Sequence, residues 1–174
     1  MPKPVGKQFE ADFAASVPKR AYFQRLKDPA QSFGGGGENT RFSLPNPYDC
    51  FMYAHPNLFV LELKTAAGAM SFWRKDFEND VLKHTFNIKR NQIKALQEAS
   101  KYHGVIAGFV LNFRSEELTY FLEINKFLEL TDSIEKKSIN QTDVSLYGVL
   151  IPQKKMRVNY KYDVGNLVSE VTKK

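Results

Sequence analysis

The chain has 174 residues, 43% of them hydrophobic, which suits one globular domain with a sizeable core. Twenty-five Lys and Arg against nineteen Asp and Glu leave a formal charge of +6, a balance that favours polyanionic partners without demanding them. The single cysteine, Cys50, excludes an intramolecular disulfide and a cysteine-rich zinc site, and no apolar window reaches transmembrane length, so a soluble, cytoplasmic protein with no membrane partner is expected.

A first helix is expected over residues 6–17, where Val5, Phe9, Phe13 and Val17 form an apolar stripe and Pro18 stops it. Glu10 sits on the border of that stripe, from which its carboxylate could reach a sheet edge; the plainer reading is a solvated helix acid. Residues 21–26 read as a strand. A loop over residues 28–47 follows, containing Gly34, Gly35, Gly36 and Gly37. This run lacks the Gly-Lys-Ser/Thr ending of a phosphate-binding loop, which excludes a nucleotide triphosphatase. Its length and glycine content instead suit a flexible element that orders against a substrate.

The most informative stretch comes next. Asn46, Pro47 and Tyr48 lead into Asp49, and Cys50, Phe51, Met52 and Tyr53 read as a strand. His55, Pro56 and Asn57 supply a turn, and a return strand begins at Leu58. Alternation along that strand places Val60, Glu62 and Lys64 on one face and Phe59, Leu61 and Leu63 on the other. A two-residue turn at Pro56 and Asn57 pairs Asp49 with Lys64, so that all three polar groups converge. A three-residue turn pairs Asp49 with Leu63 and aims it away from Glu62, unless a bulge or a frayed strand start redirects it. Two carboxylates and an amine held close together are costly unless a divalent cation and an anionic substrate neutralise them. That points to a metal-dependent phosphodiesterase. The bland alternative is a surface hairpin with ordinary exposed ion pairs.

Residues 65–86 are polar and mixed. Residues 87–102 read as a helix with Ile88, Ala95, Leu96, Ala99 and Tyr102 on one face and Arg90, Lys94, Gln97 and Lys101 opposite. Gln92 falls within the apolar stripe, where a polar amide needs partners on the sheet; it is either a satisfied core glutamine or a group that orients the attacking water or a phosphate. Residues 104–113 form a near-continuous apolar run, as expected of a central strand covered on both faces. Residues 118–122 make its hairpin partner, and residues 124–130 suggest a short helix. Beyond Glu135 the chain is polar, and residues 151–163 interleave bases with aromatics, either to contact DNA backbone or to pack a basic tail onto the domain.

The order helix, strand, hairpin, helix, strand, strand predicts an α/β fold: a mixed β-sheet flanked by helices in a single domain over residues 1–174. Asp49, Glu62 and Lys64 together resemble the site of the PD-(D/E)xK nuclease superfamily, with its restriction-endonuclease-like core. Within it, the chain resembles the RecU group of Holliday junction resolvases of Gram-positive bacteria and their phages. The residues that carry this are Gly6 and Glu10, Tyr48 and Asp49, Glu62 to Thr65, Ile88 to Gln92, Gly108 to Val110, and Arg157 to Tyr160. Two features depart from the group. Asn91 stands where a histidine usually precedes the helix glutamine, and the glycine-rich loop around Gly34 to Arg41 replaces a projecting stalk. The small size and short stalk lean toward a phage origin.

The resemblance implies Mg²⁺, with Mn²⁺ substituting, held by Asp49, Glu62 and the backbone carbonyl of Leu63. It implies that Glu10 holds a second ion or a bridging water, and that Lys64 lies beside the attacking water or the scissile phosphate. Gln92 completes the catalytic set. Lys7, Arg20, Arg41, Lys89 and Arg90 are the expected DNA-backbone contacts. Two symmetric nicks in a four-way junction call for a homodimer. The alternatives are another endonuclease on the same core, acting on duplex or repair DNA, and a non-catalytic DNA-binding module.

Overall fold

The computed structural model describes residues 4–26, 46–76 and 86–173. The glycine run and Arg41 lie outside them, as does most of the expected loop.

Pro18 ends the first helix as its fixed φ requires: α1 spans Val5–Ser16, with Val17 already extended. The edge strand β1 (Tyr22–Arg25) pairs antiparallel with β2 (Cys50–Ala54), which pairs antiparallel with the long β3 (Asn57–Ala66). A short β4 (Met70–Ser71) and α2 (Arg90–Ala99) precede β5 (Val105–Phe113), which lies parallel to β3. Then come β6 (Leu118–Glu123), α3 (Ile124–Ser133), β7 (Ser138–Ile139), α4 (Gln141–Ser145) and β8 (Val149–Leu150). A hairpin of β9 (Gln153–Lys155) and β10 (Tyr160–Tyr162) leads into α5 (Val164–Thr172). The main sheet has the order β1-β2-β3-β5-β6-β8, with β3 and β5 its only parallel neighbours among the described residues. It is the mixed, helix-flanked sheet expected from the sequence.

Two cores follow from the alternation of side chains. One face of the sheet carries Val60, Ala107, Phe109 and Leu111, covered by Ile93 and Leu96 of α2 and by Phe127 and Leu130 of α3. The other carries Phe59, Leu61, Leu63 and Val110, covered by Phe9 and Phe13 of α1 and by Leu167 and Val171 of α5. Val60 therefore parts from Phe59, Leu61 and Leu63 as the period-2 reading requires.

Two expectations are corrected. The hairpin closes on His55 and Pro56, with Ala54 opposite Asn57, so neither anticipated register forms. The second helix begins at Arg90, because the segment before it is taken into backbone pairing: the N–H of Ile88 donates to Ser71 O at 3.0 Å, and the N–H of Trp73 donates to Ile88 O at 2.9 Å. The polar C-terminal third packs onto the domain through Ile139, Val144, Ile151, Tyr162 and Leu167, which are buried.

Candidate active site

The hairpin register sets the site. Cys50 pairs with Leu61, which places Asp49, one step before β2, opposite Glu62. Because β2 starts only at Cys50, the N–H of Leu63 has no strand carbonyl to meet. Asp49 Oδ2 accepts it instead, at 2.8 Å, which anchors the carboxylate at the mouth of the hairpin. A residue in an extended strand sends its N–H and C=O from the same edge, so the Leu63 carbonyl leaves the strand on the side where Asp49 sits.

Glu62 is 2% exposed, yet its carboxylate is well supplied. Lys64 Nζ lies 2.9 Å from Glu62 Oε1, and Gln92 Nε2 donates to the same oxygen. Gln92 is held in turn at the start of α2, where its Oε1 accepts the N–H of Lys89 at 2.9 Å, satisfying one of the helix's orphan donors. One amide thus caps a helix and ties it to a buried acid of the sheet. Burial pushes the Glu62 carboxyl up to about 7, with the charge of Asp49 adding to the rise, Lys64 opposing it and Glu10 adding a smaller push. The same three acids, after burial itself, push the Cys50 thiol up.

Glu10 approaches the hairpin entry from α1, and its charge adds to the rise of the Glu62 carboxyl. It pairs with Arg25 at the end of β1. Arg25 was not anticipated. Nothing in its local sequence marks it, and only the pairing of Arg25 with Cys50 sets it beside the hairpin entry. Among the described residues, no three His, Cys, Asp or Glu side chains cluster closely enough to hold a metal. Asp49, Glu62 and the Leu63 carbonyl offer two carboxylates and a carbonyl at the hairpin entry. Those are the oxygen ligands a hard cation takes, and a buried acid whose ionisation is opposed by a neighbouring acid is one that a cation would relieve.

Of the expected DNA contacts, Lys7, Arg20, Lys89 and Arg90 are exposed. The Arg90 guanidinium stacks 4.8 Å from the centre of the Trp73 ring, which orients it beside the start of α2.

The family model for RecU, Recombination protein U, matches residues 66–165, and the chain belongs to the RecU family. The matched stretch includes Lys89, Arg90, Gln92 and Gly108; Glu10, Asp49, Glu62 and Lys64 precede it. The SPbeta prophage-derived uncharacterized protein YotM of Bacillus subtilis (strain 168) is 33% identical over 184 residues, spanning 97% of this chain and 87% of that one. Among solved structures, Hjc of Archaeoglobus fulgidus, a Holliday junction resolvase from an archaeal hyperthermophile, is similar at a TM-score of 0.44 and 14% identity, covering 75% of this chain and 83% of that one. No helix among the described residues is long and apolar enough to cross a membrane.

Proposed function

We propose that the chain is a Mg²⁺-dependent endodeoxyribonuclease that resolves four-way DNA junctions by paired nicks, acting as a homodimer. The observation that carries this reading is the juxtaposition of Asp49 and Glu62 across the hairpin, with Lys64 on the Glu62 carboxylate. Membership of the RecU family supports the choice of a recombination substrate.

Asp49, Glu62 and the Leu63 carbonyl are the groups that would hold Mg²⁺. Such an ion supplies Lewis-acid stabilisation of the phosphoryl oxygens and a more acidic water. The chain's own contribution is orientation and charge. The Leu63 N–H fixes Asp49, and Gln92 fixes Glu62. Lys64, beside the Glu62 carboxylate, would stabilise the negative charge that develops on the phosphoryl group. Glu10, paired with Arg25, adds negative potential at Glu62 and would hold a second ion or a bridging water.

Asp49→Ala or Glu62→Ala is expected to abolish Mg²⁺-dependent cleavage of a mobile four-way junction while leaving junction binding largely intact. A gel assay comparing junction, fork and linear duplex checks this. Retained cleavage by either purified variant would falsify the metal-site assignment, and equal cleavage of linear duplex would sink the junction assignment.

A further inference from the structure

We infer that a groove between the end of α1 and the outer face of the β9–β10 hairpin holds the phosphodiester backbone of the substrate DNA away from the acid pair. The identity of the polyanion rests on the endonuclease reading above; the site itself rests on the following geometry. The groove has a volume of about 670 Å³, with Pro18 and Lys19 on one wall and Lys154, Lys161 and the start of α5 on the other. In the hairpin register, Lys154 and Lys161 are directly opposite each other.

Their neighbours show which way they face. Tyr162 is buried in the core, and its cross-strand partner Gln153 accepts a hydrogen bond from the Thr119 hydroxyl at 2.5 Å. Tyr160 donates its hydroxyl to Glu117 at 2.6 Å, and Lys155 lies 3.3 Å from the same carboxylate. Those four residues occupy the inner face, so alternation sends Lys154 and Lys161 outward. Two like charges directly opposite on a ladder destabilise it. Neither lysine has a salt-bridge partner among the described residues, and nor does Lys19. The carboxylate in the groove wall, Asp163, already accepts the Asn166 N–H at 2.8 Å as the cap of α5. Three ammonium groups on one concave surface thus raise a positive potential, which a chain of phosphates relieves.

The groove is bonded to the catalytic elements, which gives it a bearing on the reaction. Asp12 Oδ2 on α1 accepts the Tyr160 N–H at 3.0 Å, and the Ser16 hydroxyl oxygen accepts the Tyr162 N–H at 3.0 Å. From Gln153, a chain of hydrogen bonds runs through Thr119 and Asn112 to Thr65, the residue after Lys64. DNA seated on the lysines is therefore held at a set distance from Glu62. Backbone contacts of this kind position a duplex without reading its sequence, which fits recognition by shape.

The test is fluorescence anisotropy with a labelled four-way junction in EDTA over a range of salt. It compares the wild type, a Lys19→Gln, Lys154→Gln, Lys161→Gln triple variant, and Lys126→Gln, a lysine already paired with Glu129 at 2.6 Å. The triple variant is expected to bind at least about tenfold more weakly, and to flatten the slope of log affinity against log salt by about two to three, since each phosphate contact contributes about 0.9. Lys126→Gln should leave that slope unchanged. Lys161→Glu, which places an acid opposite Lys154, should weaken binding in a hairpin whose pairing is improved. Unchanged affinity and slope in these variants overturn the inference alone, whereas a wild type that neither binds nor cuts junctions removes the endonuclease reading with it.

Discussion

Glu62 concentrates the electrostatic cost of the site. Its carboxyl is pushed up to about 7 from an ordinary value of 4.5, chiefly by burial. An acid with a raised folded-state pKa keeps its proton more tightly folded than unfolded, so its ionisation subtracts stability as pH rises. The penalty is absent below about pH 4.5, grows up to about pH 7 and is complete above it. In EDTA, Glu62→Gln is therefore expected to melt at higher temperature relative to wild type at pH 8 than at pH 5. The full effect is bounded at roughly 3 kcal/mol. Parallel melting curves against pH would show that Glu62 titrates normally. The amide of Gln92 was legible as an inward-facing polar group from helical spacing alone, but its partner was not, because Glu62 lies thirty residues away in sequence.

At the scale of elements, the β2–β3 hairpin and the β5–β6 pair decide the geometry. The return strand and its alternation were readable from sequence. The register was not, because His55, Pro56 and Asn57 permit more than one turn, and a single-residue shift sends Asp49 to the other face. Backbone pairing between Cys50 and Leu61 settles it. In the central strand, Gly108 faces Glu123 of β6, and a Cβ there would come 2.5 Å from Leu122 O and 2.8 Å from the Phe121 ring. Gly108→Ala should therefore destabilise the domain by about 1–3 kcal/mol, the usual cost of overpacking. Urea unfolding measures it; an unchanged midpoint would mean that the two strands can separate at no cost. The C-terminal hairpin shows the opposite failure of legibility. Its bases and aromatics were visible as an interleaved run, but only pairing separates inner Tyr160 and Tyr162 from outer Lys154 and Lys161.

At the scale of the whole molecule, the +6 charge is unevenly used. Several lysines pair with neighbouring acids, as Lys101 does with Glu98 and Lys173 with Glu170, while Lys19, Lys154 and Lys161 share one groove. Paired nicking across a junction requires two active sites related by a two-fold axis. Sedimentation of the purified protein with a junction is expected to give two 20.0 kDa chains per DNA. A single chain per junction, still cutting both strands, would remove the dimer from the proposal.

The sequence by itself determined the class of fold, the acidic hairpin, the central apolar strand and the family resemblance, because those depend on local periodicity and short spacings. Only the tertiary structure decided that Asp49 faces Glu62, that Glu10 pairs with Arg25 at the end of β1, and that α1 is bonded to the C-terminal hairpin through Asp12 and Ser16. The reason is physical. Register and docking are set by hydrogen bonds and packing between segments as much as 148 residues apart, and no local pattern of residue types encodes such a pairing.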